Sequence, residues 1–159
     1  MERLARTPVT PKGYEELQDE LRKFKDEKPV VIKAIGEARD QGDLSENAEY
    51  HAARERLALI EANITKLEDI ISRAQIINPT TLSGSKVQFG ATVTVYDEGR
   101  DEEITYQLVG EPEADISKNK ISVMAPLGKA LLGKEEGDDV KFQTPKGTRE
   151  LSIVSVEYI

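Results

Sequence analysis

The chain contains no cysteine and no tryptophan, and only one histidine, among its 159 residues. Without cysteine it has neither a disulfide framework nor a thiolate metal site. His51 has no second His or Cys to join it, so a solvated helical side chain is its expected role rather than a metal ligand. There is no apolar run of about 18 residues, so no membrane span is expected. The segment Met1-Glu2-Arg3-Leu4-Ala5-Arg6 lacks the apolar core of a signal peptide, and a cytoplasmic protein is expected. Basic residues are outnumbered, 22 against 30 acids, for a net charge of −8. Holding duplex DNA by its phosphates requires clustered Lys and Arg. Residues 1–77 carry 13 bases and 16 acids and residues 78–159 carry 9 and 14. Neither half is a basic platform, and no strong independent binding of duplex DNA is expected. The length suits one domain or two small ones.

What the chain does have is a seam. Tyr14, Leu17, Leu21, Phe24, Lys28, Val31, Ile35 and Ala38 recur at alternating steps of three and four. Tyr50, Ala53, Leu57, Ile60, Ile64, Leu67, Ile71 and Ala74 do the same. This is the a/d spacing of helices that wind round each other. The two series are mirror images about Leu44, so Tyr14 meets Ala74, Val31 meets Leu57 and Ala38 meets Tyr50. One antiparallel hairpin folded at Leu44 brings all eight layers into register. At about 1.5 Å per residue, an arm of roughly 30 residues reaches on the order of 45 Å. Such an arm suits presenting its end inside a partner.

That end is acidic. Glu37, Asp40, Asp43, Glu46 and Glu49 surround a single base, Arg39. Gly42 can close the first helix in a left-handed cap. Asp43 can cap the second, with Glu46 completing a capping box. Asp40 resists this reading, because a negative charge near a helix C-terminus is unfavourable. Helix capping and a functional role for Asp43 and Glu46 both remain open at this point. Arg54 and Arg56 read first as surface charge.

Thr10 is the expected N-cap of the first helix, with Pro11 at its first position. Pro29 falls inside the pattern, where it removes a helix hydrogen bond and should bend the arm. The passage from Ile76 to Ser85 is rich in turn residues and reads as a linker. Beyond it the period changes to two. Strands are expected over Ala91–Tyr96, Ile104–Val109 and Lys120–Ala125, the last stopped by Pro126. A short helix is expected over Gly128–Gly133. Val140–Gln143 and Glu150–Ile153 form a hairpin around Pro145-Lys146-Gly147. From Ile153 to Tyr158 the apolar phase slips by one, which predicts a β-bulge. The fold class is α+β: a long antiparallel coiled-coil hairpin over residues 1–77 with an acidic tip near 40–46, a linker at 78–85, and a small antiparallel sheet domain with one short helix over 86–159.

The run from Ala38 to Ala53, with Asp43-Leu44-Ser45-Glu46 at its centre, closely resembles the signature of the GreA/GreB transcript cleavage factors of bacteria. The resemblance extends to Thr10-Pro11-Lys12-Gly13, to Phe89-Gly90-Ala91-Thr92-Val93-Thr94-Val95, to Ile121-Ser122-Val123 and to the stretch from Leu132 to Asp138. The sparse basic charge of the hairpin favours the GreA-like branch. For the second domain the resemblance implies an FKBP-like fold, with no isomerase chemistry following from it.

The same resemblance implies a function. The partner would be bacterial RNA polymerase, entered through its secondary channel, and the substrate the backtracked 3′ end of the nascent RNA. Asp43 and Glu46 would help to hold a Mg²⁺ ion shared with the polymerase active site, and the chain would have no cofactor of its own. Mg²⁺ is commonly held by one or two carboxylates with waters and phosphates. Two exposed carboxylates alone make no tight site, so the protein is expected to stimulate cleavage in trans rather than to be an enzyme itself. Arg39 and Arg54 are the expected RNA contacts. The polymerase contacts expected are Leu44 at the apex and Ser122, Met124, Ala125 and Pro126, where Met124-Ala125 departs from the Ser-Pro of the family. A monomer is expected. The alternative is a polymerase-binding inhibitor or scaffold of the same fold that never stimulates cleavage.

Overall fold

The computed structural model describes residues 6–41 and 47–159. They form two compact units, one over Tyr14–Arg73 and one combining residues up to Gly13 with Ala74–Ile159.

The first unit is the helical hairpin. Helix α1 spans Pro11–Arg39 and α2 spans Ala48–Arg73. The seam positions Leu17, Ile35, Ala38, Tyr50, Ile60 and Leu67 are buried. The off-seam apolar residues Val30, Ile32 and Leu59 are exposed. Ile35, Ala38 and Tyr50 form one cluster, with Val31, Ala53 and Leu57 packed against it. These six are the last three mirror pairs of the seam. Ion pairs flank the seam in the pattern an antiparallel pair requires, e against e and g against g. Lys25 Nζ lies 3.3 Å from Glu68 Oε1. Arg56 holds Glu27 through two bonds of 2.8 and 2.7 Å. Those bonds lower the pKa of Glu27 and raise that of Arg56. Lys28, the one polar residue on the seam, reaches out to Glu61 at 3.8 Å. Its stem lies on apolar surface while its charge stays wet. Helix α1 continues through Pro29 without a break.

The second unit is built on a five-stranded sheet. Strand β1 spans Thr7–Val9 and β2 spans Ala74–Ile76, and these two pair in parallel as a small sheet of their own. They belong with the second unit although the sequence groups them with the hairpin. The main sheet has the order β5-β4-β3-β7-β6, with β3 over Thr92–Asp97, β4 over Glu102–Val109, β5 over Lys120–Ser122, β6 over Asp139–Thr144 and β7 over Gly147–Glu157. The predicted bulge is present. Thr94 pairs with Ser155 and Val95 with Ile153, leaving Val154 unpaired and exposed. The extra residue lets Ile153 and Val156 both face the core. That core contains Val93, Val95, Leu108, Ile121, Leu131 and Leu151.

Three details correct the sequence reading. The sheet is not antiparallel throughout, because β5 lies parallel to β4. A parallel neighbour needs a crossover rather than a tight turn. Residues 110–119, with 3₁₀ turns at Glu111–Glu113 and Ile116–Lys118, loop the chain back to Gln107, near the end of β4, where β5 begins. Strand β5 stops at Ser122 rather than Ala125, because the Ala125 N–H donates back to the Ser122 carbonyl at 3.0 Å. Helix α3 spans Pro126–Leu131, two residues earlier than Gly128. Pro126 therefore starts a helix as well as ending the extended run, its fixed φ suiting the first helical position.

Thr10 is the N-cap expected. Its Oγ1 accepts from Gly13 N at 3.0 Å. What holds Thr10 in place was not legible from local spacing. Glu113 accepts from Thr10 N at 3.0 Å, from the Thr10 hydroxyl, and from Gly110 N at 3.2 Å. A Cβ on Gly13 would fall 1.9 Å from the Glu113 carboxylate, so only glycine allows this approach.

Candidate functional site

The described ends of the hairpin helices are joined by Asn47. Its side-chain oxygen accepts from Tyr50 N at 3.0 Å, and its amide nitrogen donates to the Ala38 carbonyl at 2.8 Å. The Asn47 carbonyl accepts the first helical bond of α2, from His51 N at 3.1 Å. Asn47 is thus the N-cap of α2 and also satisfies a carbonyl at the end of α1, where four such groups lack helical partners. The cap expected at Asp43 is therefore corrected to Asn47. The signal for it, an Asn just before Ala48-Glu49, was present but masked by the Asp43-to-Glu46 spacing. Asp43, Leu44 and Glu46 themselves, with the Gly42 cap, lie outside the described residues.

Around this junction the two expected RNA-contact residues come together. Arg39 ends α1, and Arg54 is one turn into α2 from Tyr50. Both line a single shallow groove with Ile35, Tyr50, Leu57 and Glu61. Arg54 lies 5.6 Å over the Tyr50 ring, and its Nη1 donates to Tyr50 Oη at 3.4 Å. The phenol is thereby a platform that orients Arg54. His51 meets Tyr50 edge-on at 5.5 Å between ring centroids. Asp40 and Gln41 stand exposed at the end of α1. The charges suit the helix ends, with Arg39 in the last turn of α1 and Glu49 in the first turn of α2. Among the described residues no group of three or more His, Cys, Asp or Glu is placed to hold a metal ion.

In the second unit, Ser122, Met124, Ala125 and Pro126 form one ordered turn. Ser122 is buried, and its Oγ accepts from Met124 N at 3.0 Å. The Ala125 carbonyl accepts from Lys129 N at 2.8 Å to start α3. Met124 projects from the turn with 61% of its surface exposed. Ser122 therefore shapes the turn from within, while Met124 and Pro126 form its outer face. The turn rests on Gly128, where a Cβ would fall 2.1 Å from the Ser122 carbonyl oxygen. No described helix is long and apolar enough to cross a membrane.

The comparisons with known proteins agree with one another. Residues 7–76 match the family described as "Transcription elongation factor, N-terminal", and residues 82–158 match "Transcription elongation factor, GreA/GreB, C-term". The transcription elongation factor GreA of Paracoccus denitrificans is 50% identical over 157 residues, 98% of this chain and all of that protein. That of Jannaschia sp. is 52% identical over the same span and coverage. Among solved structures, the transcription factor Gfh1 aligns at 34% identity over 99% of both chains, with a TM-score of 0.47. With both halves matched in order and relatives half identical from end to end, the chain belongs to the GreA/GreB family of transcription elongation factors.

Proposed function

We propose that the protein rescues arrested transcription by placing Asp43 and Glu46 at the active site of bacterial RNA polymerase, reached through the secondary channel. The observation that carries this reading is the cap of α2. Because Asn47 caps the helix, helix capping no longer accounts for the acids at Asp43 and Glu46. A second Mg²⁺ held there would activate water and stabilise the leaving oxygen as the phosphodiester is cut. The two carboxylates supply only part of a hexacoordinate shell, so the polymerase and the RNA supply the rest. The protein then stimulates cleavage without being a nuclease itself.

Arg39 and Arg54 line one groove and would hold the phosphates of the backtracked RNA 3′ end. Leu44 would pack against the channel wall. The turn from Ser122 to Pro126, with Met124 outermost, would dock the second unit on the polymerase surface. The test is release of a short 3′ RNA fragment from a stalled, backtracked elongation complex in Mg²⁺. Asp43→Asn should melt like wild type yet lose most stimulation, with partial recovery at raised Mg²⁺. Full activity of Asp43→Asn at low Mg²⁺ would overturn the role assigned to Asp43, and binding without any cleavage by the wild type would make the protein a channel-binding inhibitor instead.

A further inference from the structure

The end of the main sheet where β3 turns into β4 carries a cavity whose charge runs against that of the protein. Its volume is about 430 Å³, and its walls include Asp97, Gly99, Arg100, Lys146, Thr148 and Arg149. That volume is typical of a small-ligand pocket. Residues 78–159 hold 9 bases and 14 acids, yet three of those bases line this one cavity with a single carboxylate, Asp97. Asp97 is already committed, since it is buried, bonded to Arg149, and accepts from Gly99 N at 3.0 Å. It therefore neutralises Arg149 and leaves Arg100 and Lys146 as the remaining cations of the lining.

The other polar groups point the same way. The Lys146 ammonium has no bonded partner among the described residues, only its backbone N–H being used, at 3.2 Å from Thr144 Oγ1. Arg100 lies 3.8 Å from Glu102 with both side chains largely exposed, a pairing too weak to hold it from a better anion. Thr148 Oγ1 accepts from Gln143 Nε2 at 3.1 Å, which leaves its own proton free to donate. Two further contacts tie the walls together. Thr144 Oγ1 donates to the Gly147 carbonyl at 2.8 Å, and Arg149 stacks 5.6 Å over Phe142. The site lies at the Glu102 end of β4, whereas Ser122 pairs with Val109 at the opposite end. It is thus separate from the turn described above.

We propose that this cavity binds a phosphate group, carried by a free nucleotide or by single-stranded nucleic acid. Two cations and a hydroxyl donor lining one space suit a multiply charged oxyanion, and an Arg fork suits phosphate geometry. The site draws on neither Asp43 nor Glu46, so it stands independently of the role proposed for the tip.

The experiment is a titration of the full chain at low salt in EDTA, which removes metal-mediated binding. The probes are pyrophosphate, a nucleoside triphosphate, a single-stranded oligoribonucleotide and a poly-glutamate peptide, read by amide shifts and by affinity. Saturable shifts at Gly99, Arg100, Lys146 and Gly147 are expected with the phosphate probes. The double variant Arg100→Ala, Lys146→Ala should weaken binding by about tenfold or more, as for loss of a charge-assisted hydrogen bond. Lys141→Ala, on β6 outside the cavity, should not. Both substituted side chains are exposed, so the double variant should melt like wild type, and Lys146→Glu alone should repeat the loss. An oligoribonucleotide that binds much tighter than pyrophosphate identifies a nucleic-acid strand as the source; equal binding identifies the phosphate alone. Absence of shifts, an affinity unchanged in the double variant, or tighter binding of poly-glutamate than of every phosphate probe would overturn the proposal.

Discussion

Asn47 and Asp97 show what single residues carry in this protein. Asn47 spends both ends of its amide on joining the two hairpin helices. Asn47→Ala removes the cap and should cost about 0.5–2 kcal/mol, seen as a lower melting temperature. An unchanged melt would show that the junction is held elsewhere. Asp97 is buried and held below its ordinary pKa of 3.8, first by the Arg149 hydrogen bond. The folded state therefore binds fewer protons than the unfolded chain as pH passes through this range. The contribution of Asp97 is complete above about pH 5 and is lost as pH falls through the lowered native value. Asp97→Asn should flatten that part of the stability–pH curve relative to wild type. An equally steep acid limb in the variant would remove Asp97 as a cause.

At the scale of elements, the hairpin and the bulged strand are separable predictions of packing. Ile60 is fully buried on the seam, while its neighbour Leu59 is 52% exposed. Ile60→Ala should cost about 2–5 kcal/mol, and Leu59→Ala less than about 0.5 kcal/mol. Equal costs, read by thermal or denaturant unfolding, would refute the seam register. The same register explains the cross-helix ion pairs. An antiparallel arrangement sets Glu27 against Arg56 and Lys25 against Glu68, so these pairs favour the hairpin over a parallel dimer of the same helices. They are exposed, and their worth lies in orientation more than in stability. In β7 the unpaired Val154 allows Ile153 and Val156 to share one face.

At the scale of the whole molecule, the proposed function assigns the two units different work. The sheet core is drawn entirely from residues 87–158. A fragment of residues 80–159 should therefore fold and compete with the full chain for polymerase, but stimulate no cleavage. Failure to compete would place the main docking contacts on the hairpin. The fragment should melt below the same unit in the full chain, because it lacks Thr10 and leaves part of the Glu113 carboxylate unpaired.

Periodicity was enough to place the hairpin and its antiparallel pairing, except the outermost layer, where Ala74 starts β2 instead, and to place the change to strands and the bulge near Val154. Each is a repeating preference for apolar side chains on one face, written in residues a few positions apart. The identity of the family was also legible, because the Asp43-to-Glu46 run and its flanks are linear motifs. What periodicity could not reach are contacts between residues with no repeating relation. Glu113 serves Thr10 from 103 positions away. Strand β5 runs parallel to β4 because an irregular crossover of two 3₁₀ turns reverses the chain. Arg39 and Arg54 share a groove only once the helices pair, and Arg100 and Lys146 line one cavity only because β3 and β7 are neighbours that bring two separate loops together. In the choice between Asp43 and Asn47 as cap, both residues satisfied the local rule. The seam decided it, since burying Tyr50 against Ala38 sets where α2 starts and puts the Asn47 amide within reach of the Ala38 carbonyl.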